Sequence, residues 1–174
     1  MLVVHATRAL RDRMPTIPAT SDDVSTTALG AWYATRLPWR RPAALLVNHT
    51  TLLPLLMPLA PAATLLARVP DAITELLHHH HHAPADLITT EQTAMTEIRV
   101  APTADRSTVG VLNEIARLAD WHRTDIDDLL DLSLRLATTP LGPLYRRHIS
   151  PDRELTALIN QHQRQPTKSR QPPP

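Results

Sequence analysis

The sequence TADRSTVGVLN at residues 103–113 links a strand-like segment to an amphipathic helix. Before it, residues 97–100 alternate polar and apolar side chains, which is the period of a half-buried strand. After it, apolar residues recur at the three- and four-residue spacing of a helix, at Val109, Leu112, Ala116 and Ala119. Ser107 is predicted to cap this helix by accepting a backbone N–H. The junction therefore predicts a domain that contains both strands and helices.

The N-terminal part of the chain predicts a small sheet. Four apolar runs are typical of strands, at residues 2–4, 32–37, 43–47 and 52–59. The first suits a central strand, and the second and third are joined by a basic turn at Arg40 and Arg41. Pro54 and Pro58 lack the N–H that a central ladder requires, so the fourth run is expected at an edge.

Helices are predicted around these strands. The expected segments are 62–69, 71–82 with Pro70 at its first position, 85–96, the helix after Ser107, one capped by Thr124, and 151–162. Residues 163–174 have almost no apolar content and are expected to be disordered. The prediction is an α+β fold with a small, mainly antiparallel sheet packed against several helices, as a single domain over residues 1–162 followed by a tail at 163–174.

Composition excludes several classes of function. The chain has no cysteine, so disulfides, thiol nucleophiles and cysteine-ligated metal centres are ruled out. The 18 basic and 17 acidic residues nearly cancel, which does not favour nucleic acid as a partner. The longest apolar run, residues 52–67, is too short for a membrane span and is broken by proline. With only three glycines a phosphate-binding glycine loop is not expected, and no cofactor is predicted.

The N-terminal residues show no basic region followed by a long apolar core, so no signal peptide is predicted. A cytoplasmic location is the expectation that follows.

The strand-helix junction is the predicted binding site. If residues 107–109 open a helix, their free N–H groups and the Arg106 guanidinium create a pocket for an anion or carboxylate. The residues expected to line it are Arg106, Ser107, Gly110, Asn113, Asn48 and Trp32. The alternative is that these polar residues only cap the helix and tie it to the strands. Gly110 costs a helix about 1 kcal/mol relative to alanine, which suggests that another backbone passes close to it.

The same junction carries a resemblance to a known family. RSTVGVLNE at residues 106–114, together with VHAT at 4–7, WYA at 32–34 and LLVN at 45–48, resembles an uncharacterised bacterial family of small α+β proteins. Its members have Asn-Arg-Ser-Val-Leu-Gly-Ser-Met-Asn-Asp at the junction. This chain differs in having Asp105 where asparagine is usual and Glu114 where aspartate is usual. The resemblance implies an α+β fold and points to the junction as the place of interest, and it implies no activity.

Five consecutive histidines, residues 78–82, form a separate candidate site. On a helix, His78, His79 and His82 would share a face with Glu75, and imidazole with carboxylate suits zinc or nickel. The alternative is a low-complexity surface insertion, since a bare histidine run lacks the supporting residues of a natural metal site.

These patterns favour a cytoplasmic binding or interaction module without catalysis, whose partner is a small anionic ligand or a protein. The alternative is an enzyme that acts on a phosphorylated or carboxylated small molecule. In that case Arg106 would hold the anion and His5 or His49 would act as the base.

Overall fold

A computed structural model describes residues 1–80 and 83–164. The strands are β1 (Leu2–Ala6), β2 (Trp32–Leu37), β3 (Ala43–Asn48), β4 (Pro54–Pro58) and β5 (Ile98–Pro102). The helices are α1 (Arg8–Arg11), α2 (Leu65–His78), α3 (Ala85–Ala94), α4 (Arg106–His122), α5 (Leu129–Ala137) and α6 (Pro151–Arg164). Short 3₁₀ turns lie at Ala62–Thr64 and Gly142–Leu144.

The strands form one five-stranded sheet in the order β4-β3-β2-β1-β5. The β2-β3 and β3-β4 pairs are antiparallel, as expected for runs joined by short turns. β1 pairs in parallel with β2 and with β5, which returns after α2 and α3. The predicted α+β class is confirmed, and the expected central position of β1 is confirmed with it.

The edge position predicted for β4 from its prolines is also confirmed. α5 covers this edge, and its Ser133 accepts a hydrogen bond from the Leu56 N–H at 2.8 Å. Because Ser133 is completely buried, this bond satisfies a strand N–H that would otherwise be orphaned. The β4 edge is therefore closed to pairing with another chain.

Each face of the sheet packs its own apolar cluster. On one face Trp32, Leu46 and Leu55 pack with residues of α2, α3 and α6, including Ile73. On the other face Leu45 and Val47 belong to a cluster with α4 and α5. Alternation along the strands produces this division, since successive side chains point to opposite faces. The α4 face also carries the candidate functional site.

Two predicted helix starts were wrong. Pro70 does not begin a helix but lies inside α2, where it has no N–H to donate to the preceding turn. Thr124 does not cap α5; its hydroxyl donates to the Trp121 carbonyl oxygen, and Asp128 is the cap residue. The predicted start of α6 at Pro151 is confirmed.

Residues 165–174, most of the predicted tail, lie outside the described residues, and so does His82. Among residues 1–80 and 83–164, none of the helices combines the length and the apolar character that a membrane crossing requires.

Glu91 of α3 is completely buried and holds the loop that precedes β2. Its carboxylate accepts the Ala28 N–H at 2.6 Å and the Leu29 N–H at 3.3 Å. Burial raises the pKa of Glu91 above its ordinary value, although these two hydrogen bonds lower it in part. The charged form is therefore less favourable in the folded protein than in the unfolded chain.

Glu91→Gln should change how stability depends on pH. Because the folded-state pKa of Glu91 is raised, its contribution to stability is complete below the ordinary value of 4.5. That contribution is lost as the pH rises through the raised pKa. Glutamine does not titrate, so the unfolding free energy of the variant should improve relative to that of the parent as the pH rises above 4.5 and through the raised pKa of Glu91. Urea denaturation across this range measures the difference.

Glu114→Gln is the matched control, since Glu114 is a partly exposed glutamate on α4 and no hydrogen bond of its carboxylate occurs among the described residues. A stability difference between Glu91→Gln and the parent that stays constant with pH would contradict the prediction.

Candidate functional site

Asp105, and not Ser107, caps the start of α4. Its carboxylate accepts the Ser107 N–H at 2.9 Å and the Thr108 N–H at 3.2 Å. The prediction that Ser107 is the cap was wrong because the helix begins at Arg106, one residue after the better-placed aspartate. Two of the amides expected to meet a ligand are therefore occupied by a carboxylate of the same chain.

The Asp105 carboxylate also accepts a short hydrogen bond from the Thr108 hydroxyl. This bond, followed by the Ser107 N–H, lowers the pKa of Asp105 below its ordinary value. Asp105 is therefore a carboxylate at neutral pH, and it accepts hydrogen bonds without donating any.

The Thr108 hydroxyl also forms a hydrogen bond with His49. The His49 Nδ1 lies 3.1 Å from the Thr108 Oγ1. The single hydroxyl hydrogen of Thr108 is committed to Asp105, so Thr108 accepts here and the His49 Nδ1 donates. In the neutral ring this assignment leaves the lone pair on Nε2.

His5 has the same tautomer for a different reason. Its Nδ1 lies 3.2 Å from the Pro102 carbonyl oxygen, which accepts hydrogen bonds and cannot donate them. The neutral His5 ring therefore also has its lone pair on Nε2. No hydrogen-bond partner for either Nε2 occurs among the described residues.

Tyr33 lies between the two imidazoles. Its ring centroid is 4.7 Å from that of His5 and 5.5 Å from that of His49, at interplanar angles of 19° and 28°. The sheet fixes one contact, since His5 and Tyr33 are register partners on β1 and β2. Tyr33 is buried and its hydroxyl accepts the Asp105 N–H at 3.4 Å, whereas His5 is partly exposed and His49 exposed. The imidazole cluster, defined as His5, Tyr33, His49, Asp105 and Thr108, thus connects the sheet to the start of α4.

The predicted site residues divide into a surface group and a buried group. The exposed members are Arg106, Ser107, Gly110 and Asn113, all on α4. Trp32 and Asn48 are completely buried, so neither side chain lies at the surface beside Arg106. Asn48 instead bonds to the backbone of its own loop and of the segment before β2.

Gly110 has open space beside it. A Cβ placed there would have no heavy atom within 4 Å among the atoms of neighbouring elements. The expectation that another backbone approaches Gly110 was therefore wrong.

Five cavities are described among residues 1–80 and 83–164, and none of the five is lined by Arg106, His5 or His49. The two histidines of the imidazole cluster lie at the surface, with His5 partly exposed and His49 exposed. Sequence reasoning named both histidines and the junction that contains Asp105 and Thr108, but it gave the side chains of these two residues no role in the site, and it missed Tyr33. The Asp-x-x-Thr spacing was a detectable capping signal, whereas the position of Tyr33 depends on strand register.

α2 ends within the histidine run, so His79 and His80 do not continue it. His78 is the last residue of the helix, and the His79 Nδ1 lies 3.0 Å from the Glu75 carbonyl oxygen. The helical face predicted for residues 75–82 therefore ends before His82, which lies outside the described residues. Among residues 1–80 and 83–164 no group of three or more side chains is placed to hold a metal ion.

The structure is that of a small α+β protein with a five-stranded mixed sheet, in which two imidazoles stack on Tyr33 beside the start of α4. The chain matches the family described as a domain of unknown function, DUF6933, over residues 3–154, and it belongs to that family. This range contains the whole imidazole cluster. No curated protein and no solved structure matches the chain. The bacterial origin and the junction signature stay predictions.

Removing the Asp105 carboxylate should change the tautomer of His49. In Asp105→Ala the Thr108 hydroxyl is free to donate, so the His49 Nδ1 becomes an acceptor in part of the population and Nε2 gains hydrogen. Imidazole ¹⁵N chemical shifts measure this directly in labelled protein.

His5 is the internal control, since Pro102 holds its tautomer independently of Asp105. Asp105→Asn retains a capping acceptor and separates loss of charge from loss of the cap. A parent spectrum in which the His49 hydrogen resides on Nε2 would contradict the assignment.

Proposed function

We propose that this protein is a ligand-binding module without catalysis of its own, and that its site is the imidazole cluster together with the exposed start of α4. The observation that supports this most strongly is that both imidazole Nδ1 atoms lie at hydrogen-bond distance from oxygen atoms of the same chain. Both Nδ1 atoms are held by acceptors of the same chain, so both Nε2 lone pairs are available to a ligand. Acceptors that are already held in place, His5 on β1 and His49 in the turn after β3, reduce the ordering that binding requires.

Arg106 supplies the charge of the proposed site. It is the first residue of α4 and is exposed, and no ion pair or hydrogen bond of its guanidinium occurs within the described part of the chain. Because Asp105 occupies the amides of Ser107 and Thr108, recognition of an anion rests on the guanidinium fork, which suits carboxylate and phosphate. The proposed ligand is a small molecule with one such anionic group and a nearby O–H or N–H donor.

Malate and succinate test this proposal, since they share two carboxylates and differ by one hydroxyl donor. Both should perturb the ¹H–¹⁵N resonances of residues 103–113, and malate should also perturb the imidazole nitrogens of His5 and His49. Arg106→Ala should weaken malate binding about tenfold, the scale of a lost charge-assisted hydrogen bond.

Arg13→Ala is the matched control, because Arg13 is also exposed and no ion pair or hydrogen bond of its guanidinium occurs among the described residues. Equal affinity of Arg106→Ala and Arg13→Ala for malate would overturn the proposed role of Arg106. The absence of any perturbation of residues 103–113 by malate, succinate or inorganic phosphate would overturn the site.

A second candidate function is catalysis, with His49 as general base. The supporting observation is the chain of contacts from the Asp105 carboxylate through the Thr108 hydroxyl to the His49 Nδ1. When Nε2 accepts a proton, this chain stabilises the resulting imidazolium, as a carboxylate does for a catalytic histidine.

Hydrolysis of p-nitrophenyl acetate and p-nitrophenyl phosphate tests the catalytic candidate. If His49 is a general base, His49→Gln should lower kcat by about a hundredfold, and His5→Gln should lower it much less. If the protein only binds, the parent and both variants should release p-nitrophenol at the same rate. The cytoplasmic location expected from the sequence remains a prediction, whether the protein only binds a ligand or also catalyses a reaction.

A further inference from the structure

A second candidate site lies at the opposite end of α4 from the imidazole cluster. A cavity of about 750 Å³ opens between the β2-β3 turn and the segment at residues 123–132. Its volume falls in the range of small-molecule sites, about 300–1,000 Å³. α4 has 17 residues and rises about 1.5 Å for each, so the two sites are about 25 Å apart.

Trp39 is fixed in the wall of this cavity. Its indole N–H donates to the Asp120 carboxylate at 2.6 Å, and the Arg123 guanidinium lies 5.1 Å from the ring centroid. Arg123 also pairs with Asp120 at 3.3 Å. The three side chains hold one another, so a half-buried aromatic surface and a cation are in place before any ligand binds.

Two further cations in the wall are not neutralised. Arg40 and Arg41 are exposed, and within residues 1–80 and 83–164 neither has an ion pair or a hydrogen bond of its guanidinium. The charged lining consists of these two residues, Arg123 and Asp127, which is three positive charges against one negative. Asp120 neutralises Arg123, which leaves Arg40 and Arg41 against Asp127, an excess of one positive charge.

The rest of the lining is apolar. It consists of Pro42, Pro58, Ile126, Leu129 and Leu132. A purely inorganic anion would leave this surface in water, and a neutral apolar molecule would leave the arginines unused. The lining therefore matches a molecule that has both properties.

We propose that this cavity binds a small organic anion, in which a carboxylate, phosphate or sulfonate group meets Arg40 and Arg41 and a flat apolar body lies against Trp39 and the proline-leucine wall. The site is independent of the imidazole cluster, since they share no residue. Each can therefore be tested without the other.

The probe is 8-anilinonaphthalene-1-sulfonate, with N-phenyl-1-naphthylamine as the same aromatic body without the charge. The sulfonate should bind the parent protein with one-to-one stoichiometry and lose affinity as salt is added. Arg40→Ala/Arg41→Ala should weaken its binding by about tenfold or more, and the uncharged amine should bind both proteins equally weakly. Binding is followed by probe fluorescence and by quenching of tryptophan emission.

Arg13→Ala/Arg146→Ala is the control, because it removes two exposed arginines elsewhere and changes the net charge by the same amount. Its affinity for the sulfonate should equal that of the parent. Thermal unfolding of each variant checks that a loss of binding is not a loss of fold. The proposal is overturned if both double variants bind the sulfonate alike, or if the uncharged amine binds the parent as tightly as the sulfonate does.

Discussion

The buried side chain of Asn48 is the constraint on which the organisation of the sheet depends. Its Nδ2 donates to the Leu29 and Ala31 carbonyl oxygens at 2.9 and 3.4 Å, and its Oδ1 accepts from the Thr50 and Thr51 N–H groups at 3.1 and 2.9 Å. The amide orientation follows from chemistry, since carbonyls only accept and N–H groups only donate. One side chain thus joins the loop before β2 to the turn after β3, and each group left unpaired there would cost about 1–3 kcal/mol.

This constraint also produces the candidate site. The turn that Asn48 organises includes Leu52 at a φ of 59°, a conformation that residues other than glycine adopt only when neighbouring contacts hold them. The His49 N–H donates to the Ala31 carbonyl oxygen at 2.9 Å, which fixes its backbone beside the start of β2. His49 then lies beside Tyr33 on one side and Thr108 on the other. Asn48 was predicted as a ligand-binding residue. In the structure its side chain is buried and stabilises the turn that contains His49, the next residue in the sequence.

Local pattern explains which parts of this structure could be predicted. The strands, the edge position of β4 and the start of α6 follow from apolar periodicity and from the missing N–H of proline, which are properties of neighbouring residues. The cap of α4 was missed because Asp105 and Ser107 are both good caps, and only the backbone decides between them. The stack of His5, Tyr33 and His49 depends on the register of three strands, which periodicity does not specify. The distribution of cavities is a further product of packing that no single segment encodes.

The charged residues at the two ends of α4 are of two kinds: some are held by neighbouring groups of the chain, and others have no such partner among the described residues. Asp105 at the N-terminus and Arg123 after the C-terminus both complement the helix dipole, and each is held by neighbouring groups. The stability of the helix is sufficient to explain their presence. Arg106 at one end, and Arg40 and Arg41 at the other, have no such partner among the described residues.

Solvated arginines are common on any protein surface, so the exposure of these three residues is not by itself evidence of a binding site. Arg40 and Arg41 line the same cavity as the immobilised Trp39 indole and an apolar wall, and Arg106 directly follows Asp105, the member of the imidazole cluster that caps α4. A guanidinium beside a preorganised surface binds an anion at a smaller entropic cost than one in open solvent, and this difference makes the two ends of α4 the places to look for ligands.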